Sequence, residues 1–307
     1  MDTLIKKQIN LRCSAPGTYI ASWHIDWTVG AVFHGGCVAA VIHHVAEVHL
    51  ASDPTFKTKN HPDIYNLHFE FLRPCVRQDS IITVTALRIG AAASTLQLEL
   101  YQDGQKKVLA LATTNGFNKI LGPTVPVPAA RIENPQPEPP LTSTVYWPTS
   151  LMSTGSPLAF QVKSFQERID ATYVAMLTDM IPSMSDTLLR NGALYDAHSV
   201  HRRSQEWANA HPGTPARIMN TAAEALKSST FNSTQTLDIE FTRKVPPEGL
   251  RFVFTRTAAN SLQKGRMNVD ITICDEIMEL LCTAHQQIFV LETGRKFRTG
   301  SAKGPSL

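Results

Sequence analysis

Phe33-His34-Gly35-Gly36-Cys37-Val38-Ala39-Ala40-Val41-Ile42-His43-His44-Val45-Ala46-Glu47-Val48-His49-Leu50 is the stretch on which the fold turns. Its apolar residues fall on nearly every side of a 3.6-residue period, the mark of a helix wrapped by other structure rather than laid on a surface. Before it, Tyr19–Trp27 is rich in aromatic and β-branched residues and reads as a strand. After it come four strand-like runs, Asn66–Leu72, Ile81–Ile89, Thr95–Tyr101 and Lys106–Phe117. Arg73-Pro74 separates the first from the second, and Gln102-Asp103-Gly104 signals a hairpin between the third and fourth. The order is strand, buried helix, then four antiparallel strands.

The pattern then returns. A Pro-rich stretch from Gly122-Pro123 to Pro139-Pro140 continues neither sheet nor helix and reads as an extended linker. Beyond it Leu158–Phe165 reads as a strand and Ala171–Ile181 as an apolar helix stopped by Pro182. Strand-like runs follow at Gln235–Phe241, Leu250–Thr257, Met267–Cys274 and Leu280–Leu291. Phe71-Leu72-Arg73-Pro74 echoes Phe241-Thr242-Arg243-Lys244 at 241 − 71 = 170, Gly90 echoes Gly265 at 175, and Asp103 echoes Asp275 at 172. Near-constant offsets imply an internal duplication. The expected units are residues 1–122, a linker 123–144, a second unit 145–297 with an insertion near 188–231, and a tail 298–307. The insertion holds His201-Arg202-Arg203, Trp207 and a helical Ala216–Lys227.

Composition removes several classes of function. The chain has 307 residues, 43% hydrophobic and 18% charged, which is the balance of a soluble globular protein. A net charge of +3 is far from the basic footprint of a nucleic-acid binder. No apolar run reaches the length of a membrane helix, and none follows the lysines of the N-terminus as a secretory signal would. The five cysteines form no CxxC pair and sit mostly among apolar residues, as small buried hydrophobes in a reducing compartment do. Pro305-Ser306-Leu307 is a poor match to a peroxisomal signal; the cytoplasm is the expected location, with the peroxisome kept as the alternative. No Walker loop, GxGxxG, GxSxG or HExxH occurs, which removes the usual support for nucleotide hydrolysis, dinucleotide redox chemistry, α/β-hydrolase and zincin action.

A long apolar helix wrapped by a curved antiparallel sheet, present twice in one chain, is an α+β double hotdog. Over roughly residues 15–293 the chain resembles the acyl-CoA thioesterase II family, in its fungal and actinobacterial thioesterase-like branch. The resemblance rests on the Gly35-Gly36 helix start, Phe71-Leu72-Arg73-Pro74 and the Gln102-Asp103-Gly104 hairpin. The second half adds the helix carrying Asp179, the strand Thr234–Phe241 and the terminal Leu280–Gln286.

Asp179 is the most informative single residue, because its segment, Ala171–Ile181, is otherwise nearly free of charge. An unpartnered carboxylate in a wrapped helix costs several kcal/mol, and a desolvated one is a better base. The residues alone also allow a solvated carboxylate near the helix end before Pro182. The resemblance implies the catalytic Asp here, with Thr234 and Gln286 holding the water that it activates, and Gln287 as a rival to Gln286. It also implies that His34-Gly35-Gly36 supplies a helix-start N–H to the thioester oxygen. The acidic residue that single-hotdog enzymes carry nine positions after that His is His43 here, so a complete site in the first half is not expected.

His43, His44 and Glu47 fall at helical spacings and read as a polar cluster lining a pocket, with His43 as an alternative acid or base. No third ligand stands at a metal-binding spacing, so no metal is expected. Arg243, Lys264 and Arg266, with Lys244, would either receive a coenzyme A phosphate or serve as solvated edge-strand charges. The expected activity is hydrolysis of a small-molecule acyl thioester, either acyl-CoA or carrier-bound, with coenzyme A part of the substrate and no separate cofactor. Two alternatives share the fold. One is acyl transfer, dehydration or cyclisation of a specialised substrate in secondary metabolism, and the other is a non-catalytic acyl-binding module. No nucleic-acid or membrane partner is expected, and monomer and homo-oligomer both fit.

Overall fold

The computed structural model describes residues 3–24, 27–29, 32–122, 142–148, 168–179, 183–189, 196–210 and 230–292. The expected strand Leu158–Phe165 and helix Ala216–Lys227 lie outside these residues. No helix among the described residues is long and apolar enough to cross a membrane.

The first half runs α1 (Leu4–Ile9), β1 (Arg12–Ala15), β2 (Thr18–Ala21), β3 (Thr28–Val29), β4 (Val32–Phe33), α2 (Gly35–Ser52) and α3 (Pro54–Lys59). Four long strands follow: β5 (Asp63–Phe71), β6 (Ser80–Ile89), β7 (Ser94–Gln102) and β8 (Gln105–Asn115). The second half holds β9 (Thr142–Pro148), α4 (Ala171–Leu177), α5 (Met184–Leu189) and α6 (Ala197–Ala210). It closes with β10 (Thr230–Phe241), β11 (Phe252–Gln263), β12 (Arg266–Cys274) and β13 (Leu280–Glu292). All strands but β3 and β4 join one antiparallel sheet in the order β1-β2-β6-β7-β8-β5-β10-β13-β12-β11-β9.

α2 is wrapped as its composition requires. Every residue from Cys37 to Ile42, together with Val45 and Ala46, is 2% exposed or less. In α4, Thr172 to Leu177 are equally buried. The two helices pack on each other inside the curve of the sheet, so the two halves share one core.

The duplication is visible in the strand pairing. β5 joins β10 with His68 opposite Asp238, and 238 − 68 = 170 is the offset read from the sequence. Leu67 and Leu237, also 170 apart, face Ile239 and Phe69, so a pseudo-twofold axis passes through the His68–Asp238 pair. There the His68 Nδ1 lies 2.6 Å from Asp238 Oδ1. The bulge at Ile64/Asn66 in β5 recurs at Thr234/Thr236 in β10, at the same offset. The Asp103-Gly104 and Lys264-Gly265 loops each put both residues at positive φ (49° and 69°, 50° and 75°), as two-residue hairpins require.

Three expectations are corrected. The run Tyr19–Trp27 is a strand only as far as Ala21, because Trp23 turns inward to stack on Phe33 at 4.2 Å and donate to Ser80 Oγ at 2.7 Å. Residues 142–144, read as linker, begin β9 and pair with β11, the β-branched Thr142, Thr144 and Val145 overriding the nearby prolines. The second helix stops at Leu177 rather than Ile181, because Thr178 caps it, its N–H bonding Met176 O and its Oγ1 donating to Ala175 O at 2.7 Å.

Candidate active site

That early helix end decides where Asp179 stands. It is not mid-helix, as the uncharged run suggested, but in the turn just past α4, with its N–H on Met176 O at 3.2 Å. Its carboxylate is still only 8% exposed, because it projects from the helix end into the space between β10, β13 and the start of α2.

Three elements converge on it. From β10, Thr234 Oγ1 donates to Asp179 Oδ1 at 3.1 Å. From β13, Gln286 Nε2 donates to the same oxygen at 2.6 Å and to Thr178 O at 2.9 Å. Strand alternation settles the choice between neighbours, since Gln286 faces inward at 0% exposure, and Gln287 and His285 face outward. Gln286 Oε1 is buried and has no partner among the described residues, so one acceptor stands beside the carboxylate awaiting a donor.

The other carboxylate oxygen meets the N-terminus of α2. A Cβ built on Gly35 would overlap Asp179 Oδ2 and lie 3.3 Å from its Cγ, so only glycine lets the carboxylate approach this backbone. Gly35 is the first helical residue, and its N–H has no intrahelical acceptor. His34 is the N-cap, and its Nδ1 accepts the Gly36 N–H at 3.2 Å and lies 3.5 Å from Asp179 Oδ2. Of the two glycine N–H groups, that of Gly36 is therefore engaged in capping. Phe71 walls this side, 3.7 Å from the Gly35 Cβ position. The nearby Cys37 thiol is pushed well up by burial, with the Asp179 charge adding to the effect, and is no nucleophile.

The remaining candidates lie elsewhere. His43 is buried 3.1 Å from Thr172 Oγ1 on α4. Glu47 binds His44 Nδ1 at 3.2 Å and Lys6 at 2.7 Å, and Lys6 also reaches Asp170 at 3.1 Å. The cluster expected to line a pocket is thus a satisfied network under α1. No group of three ligating side chains suited to a metal occurs among the described residues. Arg243, Lys264 and Arg266 do not gather. Arg243 stands just past β10 and is held by Asp275, and by Glu279 at 2.8 Å, while Lys244 pairs with Asp63 at 2.9 Å. Lys264 lies in the hairpin turn and Arg266 opens β12, at the opposite end of the sheet from Arg243 and level with Ser233, since Arg266 pairs with Phe289 and Phe289 with Ser233.

Sequence reasoning missed the polar groups beyond Thr234. Ser185 Oγ donates to Asn232 Oδ1 at 2.8 Å, and Asn232 Nδ2 donates to Ser183 Oγ at 3.1 Å. Thr230 Oγ1 donates to Asp186 Oδ1 at 3.1 Å. The available signal was the alternation Thr230-x-Asn232-x-Thr234, a polar period of two.

Two hotdog units closed on a shared core, with a carboxylate of one against the helix start of the other, define a double-hotdog protein with a composite site. The acyl-CoA thioesterase N-terminal domain profile matches residues 23–115, and the C-terminal domain profile matches residues 134–290. The chain belongs to the acyl-CoA thioesterase family, a family of thioester hydrolases. It is 22% identical over 331 aligned residues to the thioesterase-like protein TwmA of Talaromyces wortmannii, covering 94% of this chain and 92% of that one. Its fold matches a candidate thioesterase II of Thermobifida fusca YX with a TM-score of 0.61, at 15% identity and over 94% and 98% of the two chains. It also matches the acyl-CoA thioesterase II TesB2 of Mycobacterium marinum with a TM-score of 0.53, at 16% identity and over 98% and 99%.

Proposed function

We propose that the chain hydrolyses an acyl thioester with a water activated by Asp179. The observation that carries this reading is the unequal setting of the two carboxylate oxygens. Oδ1 is held by Thr234 and Gln286, while Oδ2 faces the start of α2. The two donors fix the carboxylate, and Gln286 Oε1 provides an acceptor for a water beside it.

The reaction follows from this geometry. Water gives a proton to Asp179 while its oxygen attacks the thioester carbon, a step for which a placed base contributes about 10²–10⁴-fold. The carbonyl oxygen becomes an oxyanion against the Gly35 N–H and the positive end of α2, where one such donor contributes about 10²–10³-fold. Collapse breaks the C–S bond, and the thiolate takes up the proton held by Asp179. One carboxylic acid and one thiol leave, coenzyme A departs as part of the substrate, and no separate cofactor enters.

Asp179→Asn keeps the shape and removes the base. Thiol release from a panel of acyl-CoAs is expected to fall at least about 10²-fold with an unchanged melting temperature. Unchanged hydrolysis in that variant would overturn the mechanism.

A further inference from the structure

The bulge at Thr234/Thr236 divides β10 into two unequally supported parts. Pairing with β5 covers only Thr236 to Glu240, whereas pairing with β13 runs on to Thr230. Among the described residues, Thr230–Thr234 is therefore a strand end held in the sheet from one side. The hydroxyl of Thr234, which holds the Asp179 carboxylate, stands on this end. A reacting group must stay within about 0.5 Å of its working position, so this end needs a second support.

Side chains supply it. Thr234, Asn232 and Thr230 share one side of the strand, at its period of two. Residues 179–186 answer them in reverse order. Thr234 donates to Asp179 Oδ1 at 3.1 Å, and Asn232 donates to Ser183 Oγ at 3.1 Å and accepts from Ser185 Oγ at 2.8 Å. Thr230 Oγ1 lies 3.1 Å from Ser185 Oγ and donates to Asp186 at 3.1 Å. The anchor is firm, since Met184 to Thr187 of α5 are all 1% exposed or less. Asn232 is the middle rung, with its oxygen and its nitrogen both engaged. The ladder belongs to the half that holds the carboxylate, because the positions 170 earlier, Asn60 and Pro62, precede β5 altogether.

We propose that Asn232 is a positioning residue for the reaction: with Ser183 and Ser185 it locks the end of β10, so that the Thr234 hydroxyl stays on Asp179 Oδ1. Asn232 touches no reacting atom, and its role rests on the hydrolase reading above and deepens it. A closed set of bonds between protein groups suits a splint. Hydrogen bonds are directional, so an amide set between two hydroxyls fixes the strand along its length as well as in depth, which an apolar contact does not. The same splint ties Asp179 to the rigid α5, only 183 − 179 = 4 residues further along the chain at Ser183, so that base and hydroxyl are referred to one anchor.

The test compares Asn232→Ala, Thr234→Val and the double variant on the full chain, with the acyl-CoA that the wild type turns over fastest. Asn232→Ala is expected to lower kcat by about tenfold or more and to leave KM within about twofold. In the Thr234→Val background the same substitution should cost almost nothing further, because its effect passes through a hydroxyl already removed. Asn232→Ser, which keeps a hydroxyl at the rung, should lose less, and it carries the comparison if Asn232→Ala does not fold. Losses that multiply in the double variant, or an unchanged kcat in Asn232→Ala, would overturn the proposal. A second readout needs no turnover. In protein labelled with carboxyl-¹³C aspartate, the Asp179 resonance, assigned by its loss in Asp179→Asn, should move in Asn232→Ala in the same direction as in Thr234→Val. An unmoved resonance would overturn the proposal. If the wild type hydrolyses no ester, the hydrolase reading fails, and the resonance alone upholds or overturns the placing of the carboxylate by Asn232.

Discussion

His43 and Asp179 occupy the same position in the two halves of the chain. Each lies nine residues after the N-cap of its buried helix, at 43 − 34 = 9 and 179 − 170 = 9. Each reaches the start of the opposite helix, His43 touching Thr172 and Asp179 touching Gly35. The supporting residues have diverged with them. Thr234 corresponds to Ile64 at the offset of 170. Phe69–Ala110 and Ile239–Ala284 are equivalent pairs at 284 − 110 = 174, so Gln286 corresponds to Ala112. The first-half counterpart therefore has an imidazole, an isoleucine and an alanine where the second half has a carboxylate, a hydroxyl and an amide. At these positions the second half carries hydrogen-bonding groups, and the first carries an imidazole and two apolar side chains.

This difference has a pH signature. Burial holds the His43 imidazole down to about 4, against the upward pull of Glu47 and Asp170 and with Lys6 and His44 adding to the depression. The unfolded chain binds a proton near pH 6.5 that the folded chain refuses until about pH 4, so stability is whole above 6.5 and falls as pH drops towards 4. The ceiling on that loss is about 3 kcal/mol. Glu47 loses stability in the same direction but in a lower window. Burial pushes it up, but the His44 bond, the His43 charge and Lys6 hold it down to about 2, so its contribution is whole above 4.5 and lost below. His49, which burial also holds below its usual value, adds to the upper window. Melting temperatures from pH 7.5 to 4.5 should decline in the wild type and decline visibly less in His43→Asn. Parallel curves would show that His43 does not carry the loss.

Gly35→Ala should cost far more activity than stability. Alanine is the better helix residue by about 0.5–1 kcal/mol, which offsets part of the cost of the overlap. The added Cβ displaces the Asp179 carboxylate from Thr234 and Gln286, and a shift of about 1 Å in a reacting group costs about 10²-fold in rate. A modestly lowered melting temperature with a loss of two orders of magnitude in kcat/KM, far more than the stability change explains, is the expected outcome. Full activity would mean that the carboxylate does not work from this position.

The eight long strands of the two units were legible because each alternates or is richly β-branched between turn residues. Ser94–Gln102 differs by one residue at each end from the run Thr95–Tyr101 that the sequence suggested. The residues around Asp179 fit a buried base and a solvated helix end equally well, and the carboxylate combines parts of both, standing past the helix end yet buried. The close approach of Gly35 to Asp179 was hidden because those residues lie on different halves, and nothing local in the two glycines says what packs against them. The strand run read from the sequence starts only at Gln235, because Thr230, Asn232 and Thr234 are poor hydrophobic markers, and β10 begins at Thr230. They hold a strand here because β13 extends to Glu292 and supplies the ladder. The pairing of Arg243 was hidden for the opposite reason, because charge in a sequence does not reveal that Asp275 and Glu279 already occupy it.

The five cysteines offer a check of the core that is independent of activity. Cys13 is exposed, and Cys37, Cys75, Cys274 and Cys282 are buried free thiols. Burial raises the four, with Cys75 pushed up to about 12, so almost none of their thiolate exists near neutral pH. Titration with a disulfide reagent should count one fast thiol in the native chain and five in denaturant. Two or more fast thiols without denaturant would contradict the packing of α2, β12, β13 or the β5–β6 connection that holds Cys75.

Gln286 gives the sharpest test of the site, because two substitutions push it in opposite directions. Its side chain is fully buried and supplies donors to both Thr178 O and Asp179 Oδ1. Gln286→Leu leaves that carbonyl and that carboxylate each short of a donor, at about 1–3 kcal/mol for each group. It should lower the melting temperature and the rate together. Gln286→Glu keeps the shape but sets a second carboxylate against Asp179. Two adjacent carboxylates share a proton, so one of the pair titrates well above the ordinary range. Hydrolysis by Gln286→Glu should therefore be weak at neutral pH and recover towards alkaline pH, its ascending limb displaced upward from that of the wild type. The displacement is the decisive reading. A merely structural glutamine would lose rate at every pH alike, whereas a partner of the base must move the profile along the pH axis.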